Sequence, residues 1–455
     1  MSVDRSQLPV PGHDRAFRFP HVERTTLESG LRVWTVERRD VPVLALLLVV
    51  PTGSVDDPPD RPGLASLTAD LLDEGSGDRT AVDMHDALAR IGAQFDTEAS
   101  CDATLVTLVT LSRFRDEGLR LAADIVFRPR LGLADFERVR ELRRNRLAQL
   151  RDVPGAVAER VFAEQVFGAH PYGHLPVGTE AALAAVTLDE VQAFHRAQYR
   201  LDHTVLIAVG DASASDVVAS VRAAFDEVPC ASAVAGRDPG ASMKVPPAER
   251  RLVTVHRPGA PQSELRIGRV AASRYTTDYY ALTVLNTVLG GQFVSRINLN
   301  LREDKGYTYG ARSSFDFRRQ HGPFVVQASV QTDATADAVR EVFRELDDIG
   351  STRPASEREL VLARAALTRG YPRNFETAEQ VARAIAQLAL YGLPDDYFDS
   401  FVDRVRTVGI DEVTDAARRY LPAAGMLAVV VGDCDRVATP LEGLGFAQVA
   451  MATVE

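Results

Sequence analysis

Hydrophobic and polar positions follow two periods along this chain. The longest apolar run, Val41 to Val50, is too short to cross a bilayer and predicts a buried strand. Strand-like alternation predicts further strands at Ala103 to Leu111 and Pro323 to Gln331, and apolar segments open each half of the chain at Leu31 to Val50 and Arg251 to Ala272. A helical period covers Leu133 to Arg151 and Ser356 to Arg369. Gly290-Gly291 interrupts another helical pattern and marks a turn.

The pattern repeats. Thr187-Leu188-Asp189-Glu190-Val191 starts a helix that runs to Tyr199, and an apolar strand follows, ending Val209-Gly210-Asp211. Gly409-Ile410-Asp411-Glu412-Val413 starts a second such helix, to Tyr420, and its strand ends Val431-Gly432-Asp433. The Gly-Asp pairs are 432 − 210 = 222 residues apart, and the Asp-Glu-Val triplets share that offset. The same signals in the same order at one offset point to a duplication. Between Cys230 and Arg250 lie small residues, Gly and Pro without apolar period, as in an extended linker. The predicted organisation is a first half over 15–230, a linker over 231–249 and a second half over 250–445. Each half is expected to be α+β, a mainly antiparallel sheet with helices packed on one face.

Composition narrows the function. With 455 residues the chain can bury more than one core, and 45% hydrophobic and 25% charged residues are ordinary for a globular protein. A net charge of −11 argues against nucleic acid as partner. It is compatible with a cleft for basic peptides. Lys244 and Lys305 are the only lysines, a compositional bias without binding meaning. Cys101, Cys230 and Cys434 form no C-x-x-C pair, so neither a disulfide framework nor a thiolate metal site is expected. The N-terminal residues lack a signal-peptide apolar core, and no membrane association is expected. The predicted location is the cytoplasm.

Four segments carry chemistry. They are Pro62-Gly63-Leu64-Ala65 with a helix ending Glu74-Gly75; His170-Pro171-Tyr172-Gly173 with Pro176-x-Gly178; Leu289-Gly290-Gly291 through Ser295-Arg296; and Leu301-Arg302-Glu303 with Gly306-Tyr307-Thr308-Tyr309-Gly310. In this order they resemble the pitrilysin/insulinase family of zinc peptidases, the inverzincins, named for an H-x-x-E-H site. That chemistry needs two histidines on one helical face, a glutamate base before the second, and a glutamate ligand from a later helix. The resemblance places Ser66 and Asp70 at the histidine positions, Ala69 at the base, and Arg146 at the third ligand, with Leu147 as the one-residue alternative. None of the four groups is kept, so no zinc and no hydrolysis are expected from this chain alone.

The family also uses an Arg and a Tyr seven residues apart to bind the substrate carbonyl and hold the tetrahedral intermediate. They match Arg302 and Tyr309, where 309 − 302 = 7. A guanidinium and a phenol O–H both donate well to a developing oxyanion. The plain reading of the same residues is an Arg302 ion pair with Glu303 or Asp304 and a half-buried sheet Tyr309. Asp96-Thr97-Glu98-Ala99-Ser100 matches a strand lining the family's cleft, able to pair with an extended peptide. His170 and His174 are read as surface imidazoles on a turn, Tyr307 as a packing residue, and His85, His195 and His256 as structural or surface groups. The resemblance implies a non-catalytic subunit of a two-chain peptidase that supplies Arg302 and Tyr309 to a homologous zinc-bearing partner. The alternatives are a structural or assembly subunit, or a peptide-binding protein without proteolysis.

Overall fold

The computed structural model describes residues 17–226, 228 and 249–452. The expected linker lies outside them except for Glu249. The strands are β1 (Glu23–Thr26), β2 (Arg32–Glu37), β3 (Val43–Val50), β4 (Gly75–Ser76), β5 (Arg79–Thr80), β6 (Gln94–Ala99), β7 (Thr104–Leu111), β8 (Val205–Gly210), β9 (Arg251–His256), β10 (Gln262–Val270), β11 (Thr308–Phe315), β12 (Pro323–Gln331), β13 (Leu427–Gly432) and β14 (Gln448–Met451). β4 and β5 form a small hairpin. The others make two six-stranded sheets, ordered β1-β2-β8-β3-β7-β6 and β11-β12-β10-β13-β9-β14.

The two sheets repeat one topology. β2-β8-β3-β7-β6 in the first corresponds to β9-β13-β10-β12-β11 in the second. The parallel pair is the same in both: Arg32 faces Val205, and Arg251 faces Leu427. The offsets are 251 − 32 = 219 and 427 − 205 = 222, so three more residues separate the paired strands in the second half. The sixth strand differs, with β1 antiparallel to β2 and β14 parallel to β9. Each fold is α+β, as the patterning predicts, but helices cover both faces of each sheet and not the single face expected.

The sequence did not reveal that the halves exchange a helix. Pro154–Phe167 packs on β10 and β13 of the second sheet, and Ala378–Tyr391 packs on β3 and β8 of the first. These are equivalent helices, since 378 − 154 and 391 − 167 are both 224. Each sheet therefore carries its own half's helices on one face and the other half's helix on the opposite face. In β3 the alternation is explicit: Leu44, Leu46, Leu48 and Val50 join the first half's core, while Leu47 and Val49 join Val381, Ala382 and Ile385. Both faces are dry, so the strand reads as an unbroken apolar run instead of an alternation. Likewise Val157, Val161 and Phe162 cover Val429 and Val431.

Further ties cross between halves. Phe17 stacks on Phe375 with ring centroids 4.8 Å apart, and Phe19 N–H donates to Asp399 Oδ1 at 2.7 Å. The loop between β11 and β12 reaches the first half. Asp102, 3% exposed, accepts from Tyr172 O–H at 2.5 Å and from Arg319 N–H at 2.8 Å. His170 Nε2 lies 2.7 Å from Gln320 Oε1, and the Arg318 guanidinium covers the Tyr172 ring at 4.8 Å.

Candidate functional sites

Asp57 builds the first site. It is 4% exposed, and its carboxylate accepts from Gly63 N–H and Ala65 N–H, both at 2.7 Å. This fixes the first turn of helix Leu64–Asp70 with a negative charge at its N-terminus. His174 Nε2 sits 2.9 Å from the same carboxylate. The two histidines read as surface imidazoles are thus both engaged: His174 here, and His170 at Gln320, where burial pushes its pKa down. Gly63, at φ 99°, lies against Gly178; a Cβ on it would fall 2.7 Å from the Gly178 Cα. That close approach is why both segments carry glycine at this point.

Ser66, Ala69, Asp70 and Arg146 come together in a cleft of about 600 Å³, with Phe95, Thr97 and Leu142 on its walls. Leu147, the alternative third position, points away into the first half's core at 5% exposure. The residue that dominates the cleft is one the spacing did not single out. Arg143, one helical turn before Arg146, donates from Nη2 to Ser66 Oγ at 2.9 Å and from Nε to Asp70 Oδ2 at 3.0 Å. A second bond to Asp70 runs from Nη2. Arg143 Nη1 faces the carbonyls of Pro176 and Val177 at 3.4 and 3.5 Å. The only available signal was position: residues 143 and 146 share a face of helix Leu133–Arg151.

These residues do not fit zinc. The metal needs at least three N, O or S protein ligands and an open position. The cleft offers a serine hydroxyl and one carboxylate at the two histidine positions, both already bonded to a guanidinium. Ala69 cannot serve as a base, and Arg146 presents a cation. Asp73 on the cleft wall is pushed above the usual carboxylate range, first by burial. Asp96 belongs to the edge strand β6, whose outer side has no strand partner among the described residues.

The second candidate pair sits elsewhere, and neither member lines that cleft. Helix Tyr279–Leu289 stops at Gly290, where a Cβ would meet Ser313 Oγ at 2.5 Å. The chain then passes through a π-helical turn, Leu299–Asp304, which carries Arg302. Such turns are rare and often mark functional sites. The Arg302 guanidinium lies over the Phe293 ring at 4.4 Å, and its Nε is 3.3 Å from Glu303 Oε1. The ion pair of the plain reading therefore exists, although Arg302 remains about one-third exposed.

Tyr309 is different. It falls at a register break in edge strand β11, between Thr308 and Ala311, and is 91% exposed. A bulge of this kind re-aims a side chain. The Asn298 side chain bridges the two segments, accepting from Ala311 N–H at 2.9 Å and donating to the Phe293 carbonyl at 2.7 Å. Phe293 and Val294 are exposed beside it, at 61% and 51%. Tyr307 packs against the second half's core, as a structural residue does. Phe293 and Asn298 escaped the sequence reading because neither residue type announces chemistry.

Two family descriptions match the chain. Residues 32–178 match "Insulinase (Peptidase family M16)", and residues 185–367 match "Peptidase M16 inactive domain". A Mycobacterium tuberculosis protein described as an uncharacterized zinc protease is 27% identical over 401 residues, covering 88% of this chain and 90% of its own. A Helicobacter pylori protein described as a non-peptidase homolog is 20% identical over 385 residues, covering 84% and 87%. Among solved structures, a peptidase M16 inactive domain from Pseudomonas fluorescens superposes with a TM-score of 0.83 at 24% identity, covering 90% of this chain and 98% of its own. At that identity the likeness establishes the fold.

Proposed function

Because this chain belongs to the insulinase family, peptidase family M16, and lacks its zinc site, we propose that it is the non-catalytic subunit of a two-chain peptidase. Its partner is a homologous, zinc-bearing chain, and its substrate is a peptide. Arg302 and Tyr309 donate to the substrate carbonyl and to the oxyanion that forms at the partner's metal. The observation that carries this reading is Tyr309: a phenol 91% exposed on a bulged edge strand, outside its own chain's cleft. Tyrosine is among the residues enriched at protein interfaces, and an exposed phenol with no role in its own core is suited to such a contact. Edge strand β6 offers backbone pairing for an extended peptide beside it.

The purified chain is expected to bind no zinc and cleave no peptide alone; one stoichiometric zinc with chelator-sensitive hydrolysis would show that the site has been misplaced. In the assembled pair, Tyr309→Phe should lower kcat by about 10²–10³ with a smaller change in KM, as loss of a transition-state donor does. Arg302→Ala should harm both binding and turnover. Full activity in both variants would leave this chain a scaffold. The Arg302–Glu303 ion pair favours that second reading to the extent that it already engages the guanidinium.

A further inference from the structure

We propose that Arg143 is a built-in replacement for the lost metal: a guanidinium, fixed in the cleft, that ties together the segments a bound cation would otherwise join. The family's ligands map to two helices, through positions 66 and 70 on one and 146 on the other. Arg143 extends from the second of these helices and bonds to both Ser66 and Asp70 on the first. It also reaches the carbonyls of Pro176 and Val177, next to Gly178, which the close Gly63 contact holds in place. Its side chain is only 9% exposed. A buried guanidinium is tolerated when its donors find acceptors: here Nε and Nη2 converge on Asp70 Oδ2, Nη2 also reaches Ser66 Oγ, and Nη1 faces two carbonyls.

Two consequences follow. The cleft keeps its shape without metal, because a protein cation supplies the attraction that would otherwise come from zinc. The locus is also closed to a divalent ion, since Arg143 would face it at contact distance with like charge. The loss of zinc at this site is then more than the loss of three ligands and a general base. Restoring those four residues does not restore the site while Arg143 stands.

This inference does not depend on any role for Arg302 or Tyr309, and it is tested on the full chain by two measurements. The first compares zinc affinity in Ser66→His/Ala69→Glu/Asp70→His/Arg146→Glu with and without Arg143→Met. The quintuple variant should bind zinc about tenfold or more tighter, the size of effect seen when a neighbour of a metal ligand is changed. Equal affinity in the two, whether both bind or both fail to bind, overturns the proposal. The second measures thermal midpoints of Arg143→Met, Asp70→Asn and the double variant in the otherwise native chain. Both single variants should melt lower, and the double variant no lower than Arg143→Met alone, because the two act through one contact. Additive losses, or an unchanged midpoint for Arg143→Met, would show that the guanidinium is an ordinary surface charge and not a tie.

Discussion

Arg296 shows how far a residue's chemistry depends on what surrounds it. In sequence it closes the Gly-Gly segment and carries no assigned role. In the structure it is 8% exposed, and its guanidinium is saturated by Glu359, at 2.6 and 2.8 Å, and by the carbonyls of Arg353 and Pro354. Glu359 also caps its own helix by accepting from Ser356 N–H at 2.8 Å. Burial alone would raise its pKa, but the bonds from Arg296 and Ser356 outweigh that and hold it down to about 2, against an ordinary value of 4.5. A depressed folded-state pKa stabilises the fold above the unfolded value, and the contribution is lost as pH falls from about 4.5 toward 2. Glu359→Gln should therefore lower the denaturation midpoint at neutral pH and flatten its fall across that acid window. An unchanged pH profile in the variant would deny the pairing. At this scale it was the family resemblance, not spacing alone, that made Arg146 and Tyr309 legible. Arg143 was not, because spacing does not say which of two arginines on one helical face turns inward.

At the scale of elements, the amphipathic patterns gave helices and strands close to their observed bounds. Leu133–Arg151 and Pro323–Gln331 end where the pattern ends. Capping chemistry explains the sharp starts. Thr187 accepts from Glu190 N–H, and the Glu190 carboxylate accepts from Thr187 N–H at 2.8 Å, closing a capping box. Which sheet a helix would cover was not legible, since an apolar stripe does not name its partner. The exchange of Pro154–Phe167 and Ala378–Tyr391 has a testable cost. Phe162, 2% exposed, belongs to the first half yet packs in the second, so Phe162→Ala should destabilise by about 3–5 kcal/mol. The effect should appear as faster hydrogen exchange in β10 and β13. Protection lost only around the first sheet would contradict the exchange. By the same reasoning, residues 1–230 produced alone should expose the β3 and β8 face and bind a hydrophobic dye, and co-production with 231–455 should suppress it. A soluble first half that does not bind the dye would mean the helix is dispensable.

On the scale of the whole molecule, the exchanged helices, the N-terminal aromatics and the Asp102–Tyr172 contact make each half part of the other. The chain is expected to unfold in one cooperative transition. Two well-separated calorimetric transitions would show that the halves are energetically independent. Tyr172→Phe removes the O–H that bonds to buried Asp102 and should cost roughly 1.5–3 kcal/mol, as hydrogen bonds to charged groups do. It should loosen the β11–β12 loop where Arg319 N–H donates to the same carboxylate at 2.8 Å. No helix among the described residues is long and apolar enough to cross a membrane. The sequence by itself determined the repeat, the α+β class, the resemblance to the insulinase family and the loss of its zinc ligands. Periodicity, turn residues and ligand identity are all local properties that survive in one dimension. Tertiary structure alone decided the helix exchange, the inward turn of Arg143 and the outward turn of Tyr309. Each depends on what packs against a side chain from residues far away in the chain, through burial, charge pairing and a bulge in an edge strand, and no local pattern records those contacts.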